Sequence, residues 1–335
     1  MSTYRSRKEA IDFGEIKSQR NSLNTRIEVK RERIQRCPED REEVEKAIAE
    51  VQAQIPALDA ILAKEPPPPE LPPRKPLIKV SGILEEFETL CVRGYFSDRE
   101  YDPAAFARKE ERELYGALLL SIAGNTSAAA INSQTKVRES DTCDFVRGKI
   151  NGVPFHGWLG FTTAKMGDYV ELAVTEQEGY YVVYAIAHPE LRVVSMTPRC
   201  RQGIHSNAKY QLRGTWYVSL LLFLIFMILG LFDEQSKESI VDYIKYISSF
   251  CGLIAIVLSP LIYFSCMRNP KPTFRLAEEI FTILGFPNPT EIDLEKLTEK
   301  RLKEIKVNSP DEQSDKASGR VMPDQACFWS YYYYY

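Results

Sequence analysis

The sequence predicts an α+β membrane protein. Three observations carry that class: two long apolar runs late in the chain, a series of short alternating segments joined by turn signals before them, and a densely charged helical region at the start. In order, the chain reads as a helical hairpin or coiled coil over residues 1–64, a proline-rich linker over 65–76 and a mixed α/β domain with a small β-barrel over 77–212. A transmembrane hairpin over 213–267, helices over 268–307 and a disordered tail over 308–335 complete it.

In the first region Val44, Ile48, Val51, Ile55, Leu58 and Leu62 alternate steps of four and three, the a/d seam of a coiled coil. Pro56 must kink or end that helix. The earlier seam, Phe13, Ile16, Leu23, Ile27 and Ile34, is poorer, because Arg20 and Lys30 fall where an apolar residue belongs. Cys37-Pro38-Glu39-Asp40 offers a turn, so two helices folded back on each other fit better than one long helix pairing between molecules. Arms this short are marginal alone, which predicts docking on a second copy or a protein partner. Seven prolines among the eleven residues 66–76 then enforce polyproline II, a semi-rigid spacer that holds the arm away from the next domain.

Residues 78–84 read as a first strand. A helix follows from about Pro103 to Ala123, with Asp102 as its cap and Phe106, Leu114, Leu118 and Ile122 along one side. The strongest turn signal is Asn151-Gly152, which joins 145–150 to 153–161 as a hairpin. Gly167-Asp168, Glu178-Gly179 and Pro189-Glu190 set off further strands at 169–175, 180–187 and 191–196. Strands this short, about ten residues apart, predict a small OB- or SH3-like barrel with a helical insertion. Phe155, Trp158, Phe161, Tyr169, Tyr180, Tyr181 and Tyr184 read first as core and cross-strand pairs, and second as a stacking surface for a ligand.

From 216 to 232 only Ser219 and Gly230 are not apolar, and 246–267 holds no charged residue. Each run approaches the roughly 20 residues a helix needs to cross about 30 Å of hydrocarbon. The gap contains Asp233, Glu234, Lys237, Glu238, Asp242 and Lys245, so the runs form a hairpin; the competing reading is a pair of buried core helices. Arg199, Arg201, Lys209 and Arg213 precede the first span, and Arg268, Lys271 and Arg275 follow the second, which places both termini in the cytoplasm. The first four are candidates to touch anionic headgroups. Ser248, Gly252, Ala255 and Ser259 recur at steps of four, three and four, a seam of small residues for close helix packing, either within the hairpin or between copies. After the spans, 274–284 reads as a short amphipathic helix ended by Gly285, and Pro289-Thr290 opens another with Leu294, Leu297, Leu302 and Ile305. Beyond Val307 the composition predicts disorder, and the five tyrosines 331–335 have no evident role in it.

A net charge of −3 with 27% charged residues and no basic stripe excludes nucleic acid as a partner. Residues 1–9 lack the apolar core of a cleavable signal peptide. Seven cysteines without a Cys-x-x-Cys pair, and three scattered histidines, write neither a disulfide framework nor a metal site. No nucleophile elbow, phosphate loop, zinc-protease helix or dinucleotide fingerprint occurs, and no cofactor is expected. Cys143, His156 and Asp168 could be assembled into a Cys-His-Asp set, but three such residues arise by composition in most domains of this size.

The charged arm and proline spacer, the stretch Gly94-Tyr95-Phe96-Ser97-Asp98-Arg99-Glu100-Tyr101, the segment Val153-Pro154-Phe155-His156-Gly157-Trp158 and the two spans together resemble type VI secretion system effectors of Gram-negative bacteria. The resemblance covers residues 77–290, and its motifs carry no known chemistry. It implies a bacterial inner-membrane location, action on the membrane of a rival cell and an immunity protein as partner. A barrel beside membrane spans is also similar in architecture to NfeD-like membrane proteins. The residues read alone favour a different role, a membrane anchor whose coiled coil and barrel recruit cytosolic partners.

Overall fold

The computed structural model describes residues 10–36, 41–122, 140–232, 240–308 and 320–335. The expected turn at Cys37-Pro38-Glu39-Asp40, the helix end at Gly124 and most of the charged gap, from Asp233 to Glu238, lie outside the described residues.

Helices α1 (Phe13–Arg36), α2 (Arg41–Gln52) and α3 (Ile55–Leu62) make the arm. The two anticipated seams meet: Ile27, Val44 and Ile48 are buried together, with Ile34, Val51 and Ile55 around them. Pro56 sits in the first turn of α3, where its missing N–H costs no helical bond. Arg20, the misfit of the first seam, reaches Asp59 at 3.0 Å, and Lys17 reaches Glu65 at 2.6 Å. The foot of the arm docks on the chain itself. Ile11 bridges Val92, Arg93 donates to Asp12 at 3.1 Å, and Phe13 enters the main core.

The body is built on β1 (Ile78–Tyr95), β2 (Ser140–Ile150), β3 (Val153–Leu159), β4 (Tyr169–Glu176), β5 (Tyr181–His188), β6 (Val193–Met196) and β7 (Tyr332–Tyr334). They form one seven-stranded antiparallel sheet in the order β3-β2-β1-β4-β5-β6-β7, and β3 pairs in addition with β5, parallel to it. Asn151 and Gly152 adopt φ of 51° and 77°, the left-handed pair that a two-residue hairpin requires. The first strand is far longer than its apolar run suggests. Its first half pairs with β4 and its second with β2, with a register shift between Leu84 and Glu86. Glu85, Glu86 and Glu88 break the alternation in sequence but are exposed, so they do not interrupt the strand.

Between β1 and β2 stand α4 (Asp98–Tyr101) and α5 (Pro103–Ile122). Leu114 on α5 is 63% exposed, contrary to its expected place on a buried side, and the side chains of Leu118 and Ile122 lie outside what is described. One face of the sheet encloses Leu84, Val146, Ile150, Leu159, Val170 and Leu172, all at most 1% exposed. On the other face Val92, Phe96, Ala185 and Met196 pack with Leu276, Ala277, Ile280 and Phe281 of α8 (Pro272–Ile283). Gly285, at φ 79°, ends α8 as expected, and Phe286 N–H returns to the Phe281 carbonyl at 2.9 Å.

The long helices are α6 (Ile204–Phe232) and α7 (Ile240–Arg268), each long and apolar enough to cross a membrane. They pack side by side, Ser219 Oγ donating to the Cys251 carbonyl at 2.9 Å and Tyr243 OH to the Phe226 carbonyl at 2.8 Å. They are not the buried core pair of the competing reading, since Leu220, Leu221, Leu229, Leu253 and Ile256 are all more than half exposed. A last helix, α9 (Leu294–Asn308), lies against β7.

From residue 320 the tail corrects the expectation of disorder over 308–335, and 309–319 lie outside the described residues. Ser330 to Tyr334 are buried, and Tyr332 and Tyr333 reach 1% and 0% exposure in the sheet. A tyrosine buries a large ring while its hydroxyl can still reach a polar partner. Tyr331 OH donates to Asp141 at 3.1 Å, Tyr332 OH meets Thr163 Oγ1 at 2.8 Å, and Tyr333 OH donates to the Phe328 carbonyl at 3.1 Å.

Candidate functional site

The aromatic residues around β3 and β5 divide between the two uses open to them. On β3 the alternation turns Phe155 into the inner core and sends His156 and Trp158 to the other face. There Trp158 meets Phe145 and Phe96 edge-on at 5.6 and 6.0 Å, and His156 stacks on Tyr180 at 5.1 Å. The chain's own proline segment lies across this face. Trp158 Nε1 donates to the Pro67 carbonyl at 2.9 Å and Tyr184 OH to the Glu70 carbonyl at 2.8 Å. The Glu70 carboxylate sits 3.8 Å from His156 Nε2 and accepts from Tyr180 OH at 3.5 Å.

The spacer expected to hold the arm away is therefore a strap that ties it down. Pro66 to Pro69 have no N–H to donate, Leu71 N–H turns back to the Pro69 carbonyl at 3.1 Å, and the Pro67 and Glu70 carbonyls are left to indole and phenol donors in an aromatic-lined groove that suits proline rings. The cavity left beneath the strap is about 10 Å³, room for one water and no ligand. Burial pushes the Tyr184 phenol up to about 12, so it stays a donor at ordinary pH. Trp158→Ala removes one donor and the centre of the platform. It should cost about 3 kcal/mol and open the Arg74-Lys75 bond to trypsin, read as faster limited proteolysis.

Burial lowers His156 below its ordinary value of 6.5, against the pull of Glu70, and lowers His188 likewise, against the pull of Asp168. The unfolded chain then binds more protons than the folded one below about pH 6.5, so these histidines stabilise the fold above that pH and lose their contribution as it falls. The thermal midpoint should be lower at pH 5 than at pH 7, and the difference should shrink in His156→Gln, which does not titrate.

The membrane-facing candidates are distributed unevenly. Ala255 and Ser259 are buried against α6, Gly252 is half-buried and Ser248 is exposed. A Cβ on Gly252 would meet nothing within 4 Å, so no close approach depends on it. The packed face of α7 is instead Ile247, Cys251, Ala255 and Ser259, at steps of four. Three of the four basic residues are held by acids outside the two long helices: Arg199 by Asp141 at 2.9 Å, Arg201 by Glu295, and Lys209 by Glu291 at 2.9 Å. Arg213 is exposed on α6. The root of the hairpin is built in: Gly203, Ser206, Asn207 and Ala208 are buried, Ile204 N–H is capped by Glu278 at 2.8 Å, and His205 bonds Tyr263 of α7 at 2.9 Å.

Cys143, His156 and Asp168 are not brought together. The Cys143 thiol faces the Val92 carbonyl at 3.4 Å, and burial pushes it well up, away from the thiolate a nucleophile needs. Asp168 is held by Arg320 at 2.5 Å, beside His188, whose Nε2 is 3.1 Å from the same guanidinium. That cluster fastens the tail to the body. Sequence reasoning had no signal for it, since Arg320 stands more than a hundred residues from both Asp168 and His188. Among the described residues no three His, Cys, Asp or Glu side chains are grouped to hold a metal ion. No protein-family model, curated protein or solved structure matches the chain.

Proposed function

We propose that the chain is a membrane-anchored interaction protein, in which the α6–α7 hairpin sits in the bilayer and the arm and sheet recruit a protein partner on the cytoplasmic side. The observation that carries this is the continuity of α6. Its first turns are buried in the soluble body and the same unbroken helix runs on into an exposed, apolar length. A rigid root of this kind suits an anchor. Ser219 and Ser259 are buried between the two helices, and among the described residues no charged side chain falls within 214–229 or 246–267, which fits hydrocarbon better than a water-filled path. That favours anchoring over the membrane-permeabilising effector that the type VI resemblance implies, although a bacterial inner membrane suits both.

In the same proposal the circuit β1-β2-β3-β5-β4 is a small OB-type barrel, since β1 neighbours both β2 and β4 and β3 runs parallel to β5. The arm is its coiled-coil contact surface. Arginine at both Leu224 and Ile254 places two charges at mid-span, each costing about 2.5–3.5 kcal/mol there. Wild-type protein should resist alkaline extraction from bacterial membranes and L224R/I254R should be released. Release of the wild-type protein by alkali would refute the anchor.

A further inference from the structure

Beside the root of α6 lies an open cleft of about 750 Å³ between that helix, the turn after α8 and α9. Five basic side chains line it against two acids. The acids are already engaged: Glu291 holds Lys209 at 2.9 Å and Asp293 holds Lys296 at 2.5 Å. Arg192, Arg213 and Lys300 are exposed around the same space, so the cleft carries a positive surplus. Its floor is apolar and fixed, with Phe286 stacked on Tyr335 at 4.7 Å.

Two features select among anions. Arg213 stands three residues before Trp216, about 4.5 Å along the helix, where the apolar run begins. The α6 face that lines the cleft through Ser206, Lys209, Tyr210 and Arg213 continues at helical spacing as Tyr217, Leu220 and Leu224, which are 71%, 55% and 49% exposed. A phosphate held by Arg192, Arg213 and Lys300 would have acyl chains running straight up that apolar face. The geometry points to this cleft as a binding site for one anionic phospholipid, its headgroup phosphate in the cleft and its chains along α6. The inference rests on the membrane-anchor proposal and deepens it.

The test reconstitutes the full chain into lipid nanodiscs of mixed dioleoylphosphatidylglycerol and dioleoylphosphatidylcholine, then counts retained lipids by native mass spectrometry. Wild-type protein should retain phosphatidylglycerol over phosphatidylcholine. R192Q/R213Q/K300Q should lose that preference by on the order of tenfold or more. R26Q/R31Q/K46Q, which removes equally exposed charges from the arm, should keep it. Equal retention of both lipids by the wild type, or equal loss in the two variants, would overturn the site. Displacement of the lipid by free glycerol phosphate at comparable concentration would overturn the lipid as its ligand. Failure of the wild type to enter nanodiscs would defeat the anchor itself, whereas entry without lipid preference defeats only the cleft.

Discussion

Alanine at Tyr333 is expected to lower stability by about 3–5 kcal/mol, the range for deleting a fully buried aromatic side chain. The residue is 0% exposed and belongs to the main core, its backbone pairs with Val194 of β6, and its ring lies against Phe328. Removing residues 331–335 altogether should do more. It strips the Met196 N–H of the Tyr331 carbonyl at 2.9 Å and Thr298 Oγ1 of the Tyr334 N–H at 3.0 Å, and so undocks α9 from the sheet. Thermal denaturation in detergent checks both, and an unchanged midpoint would remove β7 from the account of the fold.

Valine at Gly157 should be as damaging for a different reason. A Cβ there would run into the Val183 carbonyl oxygen across the β3–β5 pairing, and backbone on both sides leaves nothing flexible to yield. Separating the strands costs their ladder bonds and the packing beneath them, about 3 kcal/mol or more. Hydrogen exchange should quicken in both β3 and β5 while the β1–β2 ladder keeps its protection. Gly214→Ala is the contrasting case: no atom lies within 4 Å of its added Cβ, and within α6 it should be neutral or gain up to about 1 kcal/mol.

What could be read from the sequence was local. Asn151-Gly152 fixes its hairpin because few residues accept two successive left-handed conformations, and Gly167 and Gly179, at φ 89° and 87°, mark their turns for the same reason. The two long helices were readable because each carries an uninterrupted apolar length sufficient to cross a membrane. What escaped depends on distant partners. Pro67 and Trp158 are far apart in sequence, and the proline run looks like a spacer until a donor is found for its carbonyls. The foot of the arm gave no sign in the sequence of where it docks, because Phe13 and Ile11 meet β1 of their own chain some eighty residues on. The tyrosine run was dismissed on composition, which cannot register that four rings are buried and that three of those residues form the sheet strand β7. In α7 the face packed on α6 is Ile247, Cys251, Ala255 and Ser259, so within the chain only half of the small-residue seam meets its neighbour, a distinction that residue size alone does not carry.

The most direct test of the anchor places a photoreactive diazirine residue at Leu224 or Leu253, positions 49% and 62% exposed on the outer faces of the two long helices. In native bacterial membranes, irradiation should attach lipid acyl chains at both positions. Crosslinks to water or to other soluble proteins at both positions, with no lipid adduct, would contradict the hairpin as a membrane anchor.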